Sequence, residues 1–180
     1  MRNEVVFVFG HGVEELELIA PADLLRRAGA KVHLVSTEAT TLVTSRGGFC
    51  LQADGLFADL DPSTLDLLVL PGGPGVLALR RNEKLCALLQ SYAALRKPLA
   101  AICAAPLLLH DAGLLEGKQF TCHFSCWAEL PQADQTQRVV MDHNIITSQG
   151  AGTSIDFGLA LVEKLYGADV RTEISQAIMA

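Results

Sequence analysis

Residues 4–36, EVVFVFGHGVEELELIAPADLLRRAGAKVHLVS, contain the pattern that decides the fold. Two short apolar runs, Glu4–Phe9 and Lys31–Ser36, flank a longer segment, Glu14–Ala28, in which apolar residues recur at helical spacing before Gly29. Continuous apolar runs without alternation are typical of parallel strands that helices cover on both faces. The segment therefore predicts a strand, a helix and a second strand in succession.

The same pattern continues through the rest of the chain. Further strands are predicted at Leu65–Leu70, Leu99–Ile102, Gln119–Cys122, Val139–Met141 and Ile145–Thr147, a hairpin or edge segment at Thr41–Leu51, and helices at Glu83–Leu95, Ala104–Ala112, Ser154–Tyr166 and Ala168–Met179. Right-handed crossovers between such units build an open, doubly wound, mostly parallel α/β sheet, whose ligands bind at the carboxyl ends of the strands. We expect one domain over residues 1–180, because no linker, repeat or low-complexity tract interrupts the pattern.

Composition and charge limit the classes of function. Half of the 180 residues are hydrophobic and 19% are charged, which is typical of a globular domain. The formal net charge is −6, and Lys and Arg are scattered, so no basic patch for nucleic acid is expected. The N-terminal apolar run is shorter than a signal-peptide core, and no run approaches the roughly 20 residues that span a bilayer. The sequence therefore predicts a soluble, cytoplasmic protein that binds neither nucleic acid nor a membrane.

The five cysteines are predicted to be reduced thiols, because their number is odd and no export signal is evident. Cys122, His123 and Cys126 place two thiols and an imidazole close in sequence. The second ligand pair of a structural zinc site is missing, however, so we expect a strand end and a loop here. We expect neither a metal nor another cofactor.

The stretch KPLAAICAAP, residues 97–106, places Cys103 on a predicted strand-to-helix turn. Backbone N–H groups and the helix dipole at such a turn favour the thiolate, and the turn presents its side chain as a nucleophile elbow does. Cysteine is also among the most buried residue types and packs like a small hydrophobic residue. The stretch alone leaves both interpretations of Cys103 open.

Two other predicted turns at the same sheet edge carry candidate residues. Gly72 and Gly73 follow a buried strand, where paired glycines either let backbone N–H groups approach an oxyanion or form an ordinary turn. Glu14, Glu15 and Glu17 lie in a first helical turn, where carboxylates are usually solvated. Helical spacing directs one of them inward, and Glu17 is the best candidate because apolar residues flank it. A buried carboxyl that keeps its proton would donate a hydrogen bond to a neighbouring thiolate.

Two later segments reach the same edge of the predicted sheet. His123 follows the short predicted strand and either faces this edge or lies on a surface loop. Gly150–Ser154 is interpreted as a tight turn in which Thr153 or Ser154 caps the following helix, since it lacks a phosphate-binding motif.

Six short motifs occur in a fixed order along the chain. They are GVEELE at 12–17, DLLRRAG at 23–29, SRG at 45–47, LPGG at 70–73, AAICA at 100–104 and TSQGAGTS at 147–154. Together they resemble the ThiJ/PfpI superfamily over nearly the whole chain. The resemblance is closest to the branch of parkinsonism-associated deglycases and their bacterial relatives.

The resemblance implies a flavodoxin-like sandwich that forms a homodimer. It implies that Cys103 is the reactive nucleophile and that the protonated Glu17 carboxyl touches its sulfur. His123 corresponds to a nearby histidine of the family, and the backbone N–H groups of Gly73 and Ala104 correspond to an oxyanion hole.

Other positions are assigned by the same resemblance or depart from it. Arg46 and Gly72 are implied to lie next to the site or at the dimer interface. Phe124 and Ala151 stand where some relatives have proline, so we expect a different loop shape around the histidine. Ala104 after the cysteine argues against the protease-like branch, which has histidine there. No late His-x-Glu pair supports a glutamine amidotransferase.

The resemblance therefore implies a cofactor-independent enzyme that acts on small reactive dicarbonyls such as methylglyoxal, or on their early adducts with amines and thiols. This covers a glyoxalase without glutathione and a protein deglycase, which differ in whether the aldehyde arrives free or attached. The alternative is an oxidative-stress sensor or chaperone in which Cys103 is oxidised to sulfinic acid. A third possibility is a fold whose catalysis has lapsed.

Overall fold

The apolar runs of the sequence form the strands of a central sheet in the computed structural model, which describes residues 3–180. The strands are β1 (Glu4–Phe9), β2 (Lys31–Ser36), β3 (Leu42–Thr44), β4 (Cys50–Gln52), β5 (Gly55–Leu56), β6 (Leu67–Leu70), β7 (Leu99–Ile102), β8 (Val139–Asp142) and β9 (Ile145–Ser148). The helices are α1 (Glu15–Arg27), α2 (Val76–Leu79), α3 (Glu83–Ala94), α4 (Pro106–Asp111), α5 (Ser154–Tyr166) and α6 (Ala168–Ile178). Apart from the segment Gln119–Cys122, the predicted helices and strands recur with small shifts of their ends.

Seven strands pair in the order β5-β2-β1-β6-β7-β9-β8. All neighbours are parallel except β8 and β9, which are antiparallel. β3 and β4 form a separate antiparallel hairpin, which agrees with the predicted hairpin or edge segment at Thr41–Leu51. The prediction of a doubly wound, mostly parallel sheet with helices on both faces in a single domain is confirmed.

The core consists of two apolar layers, one on each face of the sheet. In β1, Val6 and Val8 belong to the layer that α2, α3 and α4 cover. Val5, Phe7 and Phe9 belong to the other layer, which α1, α5 and α6 cover. All five side chains are fully buried, which explains why β1 reads as a continuous apolar run rather than an alternating one.

The predicted strand Gln119–Cys122 is wrong. Only Thr121 pairs there, through an isolated bridge to Asp134. Its N–H donates to the Thr147 hydroxyl over 2.9 Å, and its own hydroxyl donates to the Asp134 carbonyl over 2.6 Å. Side-chain hydrogen bonds therefore replace the strand ladder in this segment.

Backbone hydrogen bonds tie together the turns at the carboxyl edge of the sheet. The Glu14 N–H donates to the Gly72 carbonyl over 3.0 Å, which joins the turns after β1 and β6. The Cys103 N–H donates to the Ser148 carbonyl over 2.9 Å, which joins the turn after β7 to the end of β9. The candidate residues of four separate segments thus meet at one edge. Within residues 3–180, no helix is both long and apolar enough to cross a membrane.

Gly158 allows α5 to pack closely against α1. A Cβ at this position would lie 2.7 Å from Leu24 Cδ1 and 2.8 Å from Pro21 Cα, well inside van der Waals contact. We expect Gly158→Ala to lower the free energy of unfolding in urea by about 1–3 kcal/mol, because the two helices must move apart. Gly152→Ala is the control, since a Cβ there meets nothing within 4 Å. Equal stability of the two variants would contradict this account of the packing.

Candidate active site

Cys103 lies on the sharp turn between β7 and α4, in a left-handed backbone conformation with φ of 65°. Such a φ is uncommon for a residue other than glycine and costs on the order of 1 kcal/mol. Both backbone groups of Cys103 are used: the N–H donates to Ser148, and the carbonyl accepts the His123 N–H over 2.9 Å. The surrounding segments thus hold a strained residue in place, as is typical of functional sites.

Glu17 projects from the first turn of α1 toward Cys103 and is 1% exposed. Its Oε2 accepts the Gly72 N–H over 2.9 Å, and its carboxyl lies beside the Cys103 side chain. Its two glutamate neighbours point elsewhere. Glu14 pairs with Arg46, and Glu15 accepts the Gly47 N–H. The inward glutamate is therefore Glu17, and it contacts the cysteine directly.

The Glu17 and Cys103 side chains titrate as a coupled pair. Burial raises the pKa of Glu17 from 4.5 to about 7. Burial, followed by the adjacent carboxylate, also raises the pKa of the Cys103 thiol, although the Gly73 and Ala104 N–H groups act in the opposite direction. The turn alone suggests an acidic thiol, and burial reverses that direction. A thiolate therefore forms at Cys103 when Glu17 holds the proton that the two groups share.

The glycines after β6 leave room for this contact. A Cβ on Gly72 would lie 2.6 Å from Glu17 Oε2 and 2.7 Å from Cys103 Cβ. Gly73 has a φ of 98°, and a Cβ there would lie 2.4 Å from the Gly12 carbonyl oxygen. The Gly73 and Ala104 N–H groups both point to the Cys103 sulfur. These donors can also hold an oxygen on a carbon that is bonded to the sulfur.

His123 borders the same cavity as Cys103. Its Nδ1 accepts the Ser125 N–H over 3.3 Å and lies 2.8 Å from the Ser125 hydroxyl, so the neutral ring carries its proton on Nε2. Burial and the charge of Arg46 lower the pKa of His123, which favours this neutral form. The structure thus brings a neutral imidazole to the cavity that the cysteine and the carboxyl share.

Gly150 is a site residue that the sequence pattern missed. A Cβ at this position would lie 3.3 Å from His123 Cδ2 and 3.9 Å from both Cys103 Sγ and Glu17 Oε1. Thr153 occupies the N-cap position of α5 as predicted, but its hydroxyl bonds to the Gly150 N–H and carbonyl and makes no cap bond to the helix. The sequence signal for Gly150 was its place in the TSQGAGTS motif at the predicted sheet edge, but that segment was interpreted as a tight turn.

The active-site cavity has a volume of about 350 Å³. One side is polar, where Arg46 Nη1 lies 3.0 Å from Glu14 Oε2, and most of the Arg46 side chain is exposed. The lining also includes the apolar side chains of Val76, Leu77 and Leu107. Among residues 3–180, no group of three or more His, Cys, Asp and Glu side chains is arranged to hold a metal ion. The cavity suits a small organic molecule with both polar and apolar atoms.

The fold and this site define a class: an α/β protein in which a half-buried cysteine on a strand-to-helix turn lies beside a buried carboxyl from the first helix. Residues 3–164 match the model of the DJ-1/PfpI family, and the chain belongs to that family. This confirms the resemblance that the six motifs carry.

Curated relatives with several different names are similar to this chain. It is 37% identical over 179 residues to protein DJ-1 homolog B of Arabidopsis thaliana, which covers 98% of this chain and 41% of the relative. It is 34% identical to an isonitrile hydratase of Pseudomonas putida (94% of this chain, 75% of the relative) and 30% identical to deglycase PfpI of Pyrococcus furiosus (83% and 91%). The chain spans less than half the length of the two Arabidopsis relatives it matches.

Solved structures of the family superimpose closely on the chain. Drosophila melanogaster DJ-1beta has a TM-score of 0.96 at 32% identity and covers 100% of this chain and 99% of its own. Oxidised DJ-1 of Toxoplasma gondii has a TM-score of 0.92 at 34% identity and covers 98% of each chain. The flavodoxin-like fold implied by the motifs is thereby confirmed.

The coupled pair predicts the pH dependence of Cys103 alkylation. In the wild type, the rate with iodoacetamide should rise through a midpoint near the Glu17 pKa of about 7. Glu17→Gln should move the midpoint to higher pH, because the buried thiol must then lose its own proton. At a pH below the midpoint, alkylation of this variant should slow about tenfold for each pH unit by which the midpoint rises. Mass mapping of peptide 97–118 measures Cys103 alone. Glu15→Gln is the matched control, and an unmoved midpoint in Glu17→Gln would refute the coupling.

The raised pKa of Glu17 also predicts a pH-dependent stability. A folded-state pKa above the unfolded value stabilises the fold at low pH, and this stabilisation is lost as pH rises from 4.5 to about 7. Glu17→Gln avoids that loss, so it should gain on the order of 2–3 kcal/mol relative to the wild type between pH 5 and 8 in urea unfolding. Glu15→Gln should show no such gain, since the pKa of Glu15 is lowered. A stability difference between Glu17→Gln and the wild type that stays constant across this range would contradict the raised pKa.

Proposed function

We propose that this chain is a cofactor-independent cysteine enzyme that acts on small reactive dicarbonyls, either as a glyoxalase without glutathione or as a deglycase. The observation that carries the proposal is the position of the buried Glu17 carboxyl beside the Cys103 side chain in a small cavity. A deglycase among the relatives supports the same chemistry. Small carbonyl compounds or glycated adducts are the expected partners.

The first step is addition of the Cys103 thiolate to the aldehyde carbon. Transfer of the shared proton to Glu17 makes the thiolate available, and the new C–S bond leaves an oxyanion on the former aldehyde carbon. The N–H groups of Gly73 and Ala104 point to the sulfur, one bond from that carbon, and therefore stabilise the oxyanion. The oxyanion takes up the proton that Glu17 holds, which gives a hemithioacetal.

The second step moves a proton between adjacent carbons. A base removes the hydrogen from the carbon bonded to sulfur, which gives an enediol, and an acid returns a proton to the neighbouring carbon. Glu17 and His123 share these roles, because both side chains border the cavity beside Cys103. The result is a thioester of a 2-hydroxy acid, and water hydrolyses it to release the acid and the free thiol.

The glyoxalase and the deglycase share every step after the hemithioacetal forms. In the first case the aldehyde arrives free, whereas in the second it is released from an early adduct with an amine or a thiol. Such an adduct would carry polar groups from its amine or thiol. The cavity lining offers charged partners for them in Glu14, Arg46 and Glu129.

A homodimer remains part of this proposal. Large apolar side chains are exposed on α1 and on the β3–β4 hairpin, namely Leu16, Ile19, Leu42 and Phe49. Exposed apolar side chains on neighbouring elements are typical of protein interfaces. The same elements carry Glu14, Arg46 and Glu17, so a second copy bound there would lie near the site.

Production of lactate from methylglyoxal without glutathione tests the proposal. We expect the wild type to release lactate and Cys103→Ser to lose at least about a hundredfold in rate, because the hydroxyl is a far weaker nucleophile than the thiolate. Glu17→Gln and His123→Ala should each lose at least about tenfold, since each removes one proton-transfer group. Separate assays of D-lactate and L-lactate show which face of the enediol is protonated.

Cys50→Ser is the matched control, because Cys50 is an exposed thiol on β4 and should leave the rate unchanged. An isonitrile serves as a second substrate, since an isonitrile hydratase is among the relatives and thiolate addition to the isonitrile carbon would begin hydration to a formamide. An inert wild type whose Cys103 still alkylates quickly near neutral pH would overturn the glyoxalase proposal in favour of the oxidative-stress sensor.

A further inference from the structure

Two cysteines that the proposed reaction does not use lie beside Cys103. Cys122 and Cys126 are 1% and 3% exposed, and Cys126 borders the same cavity as Cys103. The charge of Cys103 also acts on the Cys122 thiol, so these two sulfurs lie within electrostatic range of each other. Cys103 and Cys126 therefore border one cavity, and Cys122 lies nearby.

The backbone fixes this arrangement. The His123 N–H donates to the Cys103 carbonyl over 2.9 Å, and the Cys126 N–H donates to the His123 carbonyl over 2.9 Å. The Leu130 N–H then donates to the Cys126 carbonyl over 2.8 Å. The segment that carries Cys126 is thus attached directly to the turn that carries Cys103.

Cys126 has the surroundings of a nucleophilic thiol. The Ser125 hydroxyl lies 3.8 Å from its sulfur but donates its proton to His123 Nδ1 over 2.8 Å. The neighbouring Cys122 thiol favours the Cys126 thiolate and lowers its pKa to about 7, whereas the pKa of Cys122 is raised. A thiol whose pKa is near the ambient pH is the best attacking group in thiol–disulfide chemistry.

We propose that Cys126 is a resolving cysteine for Cys103: after a hydroperoxide oxidises Cys103 to sulfenic acid, Cys126 closes a Cys103–Cys126 disulfide. Cys122 is a positioning residue that favours the Cys126 thiolate. This inference requires a nucleophilic Cys103 but no dicarbonyl chemistry.

The steps balance with a hydroperoxide as the only oxidant. The Cys103 thiolate attacks the terminal peroxide oxygen, the O–O bond breaks, and the leaving alkoxide takes up a proton to become an alcohol. The Cys126 thiolate then attacks the Cys103 sulfur, the S–O bond breaks, and the hydroxide leaves as water after protonation. The two thiols lose two electrons in total, and the peroxide gains them.

The consequence is protection of Cys103. A sulfenic acid that meets no thiol is oxidised further to sulfinic acid, which ordinary thiols do not reduce. A disulfide, in contrast, is reversed by dithiothreitol. The presence of Cys126 therefore makes oxidation of Cys103 reversible.

Peptide mapping after treatment with a slight excess of hydrogen peroxide tests the inference. We expect the full chain to lose about 2 Da, the mass change of one disulfide, rather than to gain about 32 Da, that of a sulfinic acid. Trypsin places Cys103 in peptide 97–118 and both later cysteines in peptide 119–138, and chymotryptic cleavage after Phe124 separates Cys122 from Cys126. The linked peptides should therefore contain Cys103 and Cys126.

Substitutions complete the test. Cys126→Ala should accumulate Cys103 sulfinic acid and lose recovery by dithiothreitol, whereas Cys86→Ala on α3 should behave like the wild type. Sulfinic acid at Cys103 in the wild type, with Cys122 and Cys126 still reduced, would overturn the inference even if Cys126→Ala fails to fold. A Cys122–Cys126 disulfide that forms equally in Cys103→Ser would also overturn it.

These readouts are independent of lactate production. A wild type that forms the Cys103–Cys126 disulfide without producing lactate supports this inference and contradicts the proposed function. A wild type that produces lactate but forms only sulfinic acid supports the proposed function and contradicts this inference.

Discussion

The contact between the Glu17 carboxyl and the Cys103 sulfur is the constraint on which the rest of the site depends. Neither group is stable as an isolated charge at that depth, so the two must share a proton. The glycines of the β6 turn leave space for the contact, and two backbone N–H groups stabilise the charge when it lies on the sulfur. The parallel sheet supplies this geometry because it brings the ends of its central strands to one edge.

The sequence predicts most of the fold and part of the site. The apolar runs of the central strands identify the parallel sheet, and helical spacing identifies Glu17 as the inward glutamate. The proximity of Gly150 to Cys103 depends on β7 and β9 being neighbours, which a long separation in sequence conceals. The pKa direction at Cys103 depends on burial by distant segments, and Thr121 avoids the strand ladder through side-chain bonds that no local pattern reveals.

Two sulfur environments coexist at this edge of the sheet, and they differ in what stabilises the charge. At Cys103 the neighbour is a carboxyl, which favours the thiolate only while it holds a proton. At Cys126 the neighbour is the Cys122 thiol, which keeps its proton and adds no negative charge. The two nucleophiles therefore differ in when they ionise. Cys103 is a thiolate only while Glu17 is protonated, whereas Cys126 forms a thiolate near neutral pH.

The left-handed backbone at Cys103 has a consequence for how this family can diverge. A β-branched side chain is strongly disfavoured at such a φ, whereas glycine adopts it freely and asparagine tolerates it. Loss of the sulfur does not relax the turn, because the bonds to Ser148 and His123 come from the backbone. In a descendant that has lost the cysteine chemistry, we therefore expect glycine, asparagine or another small residue at this position. The sharp turn should persist after the nucleophile is lost.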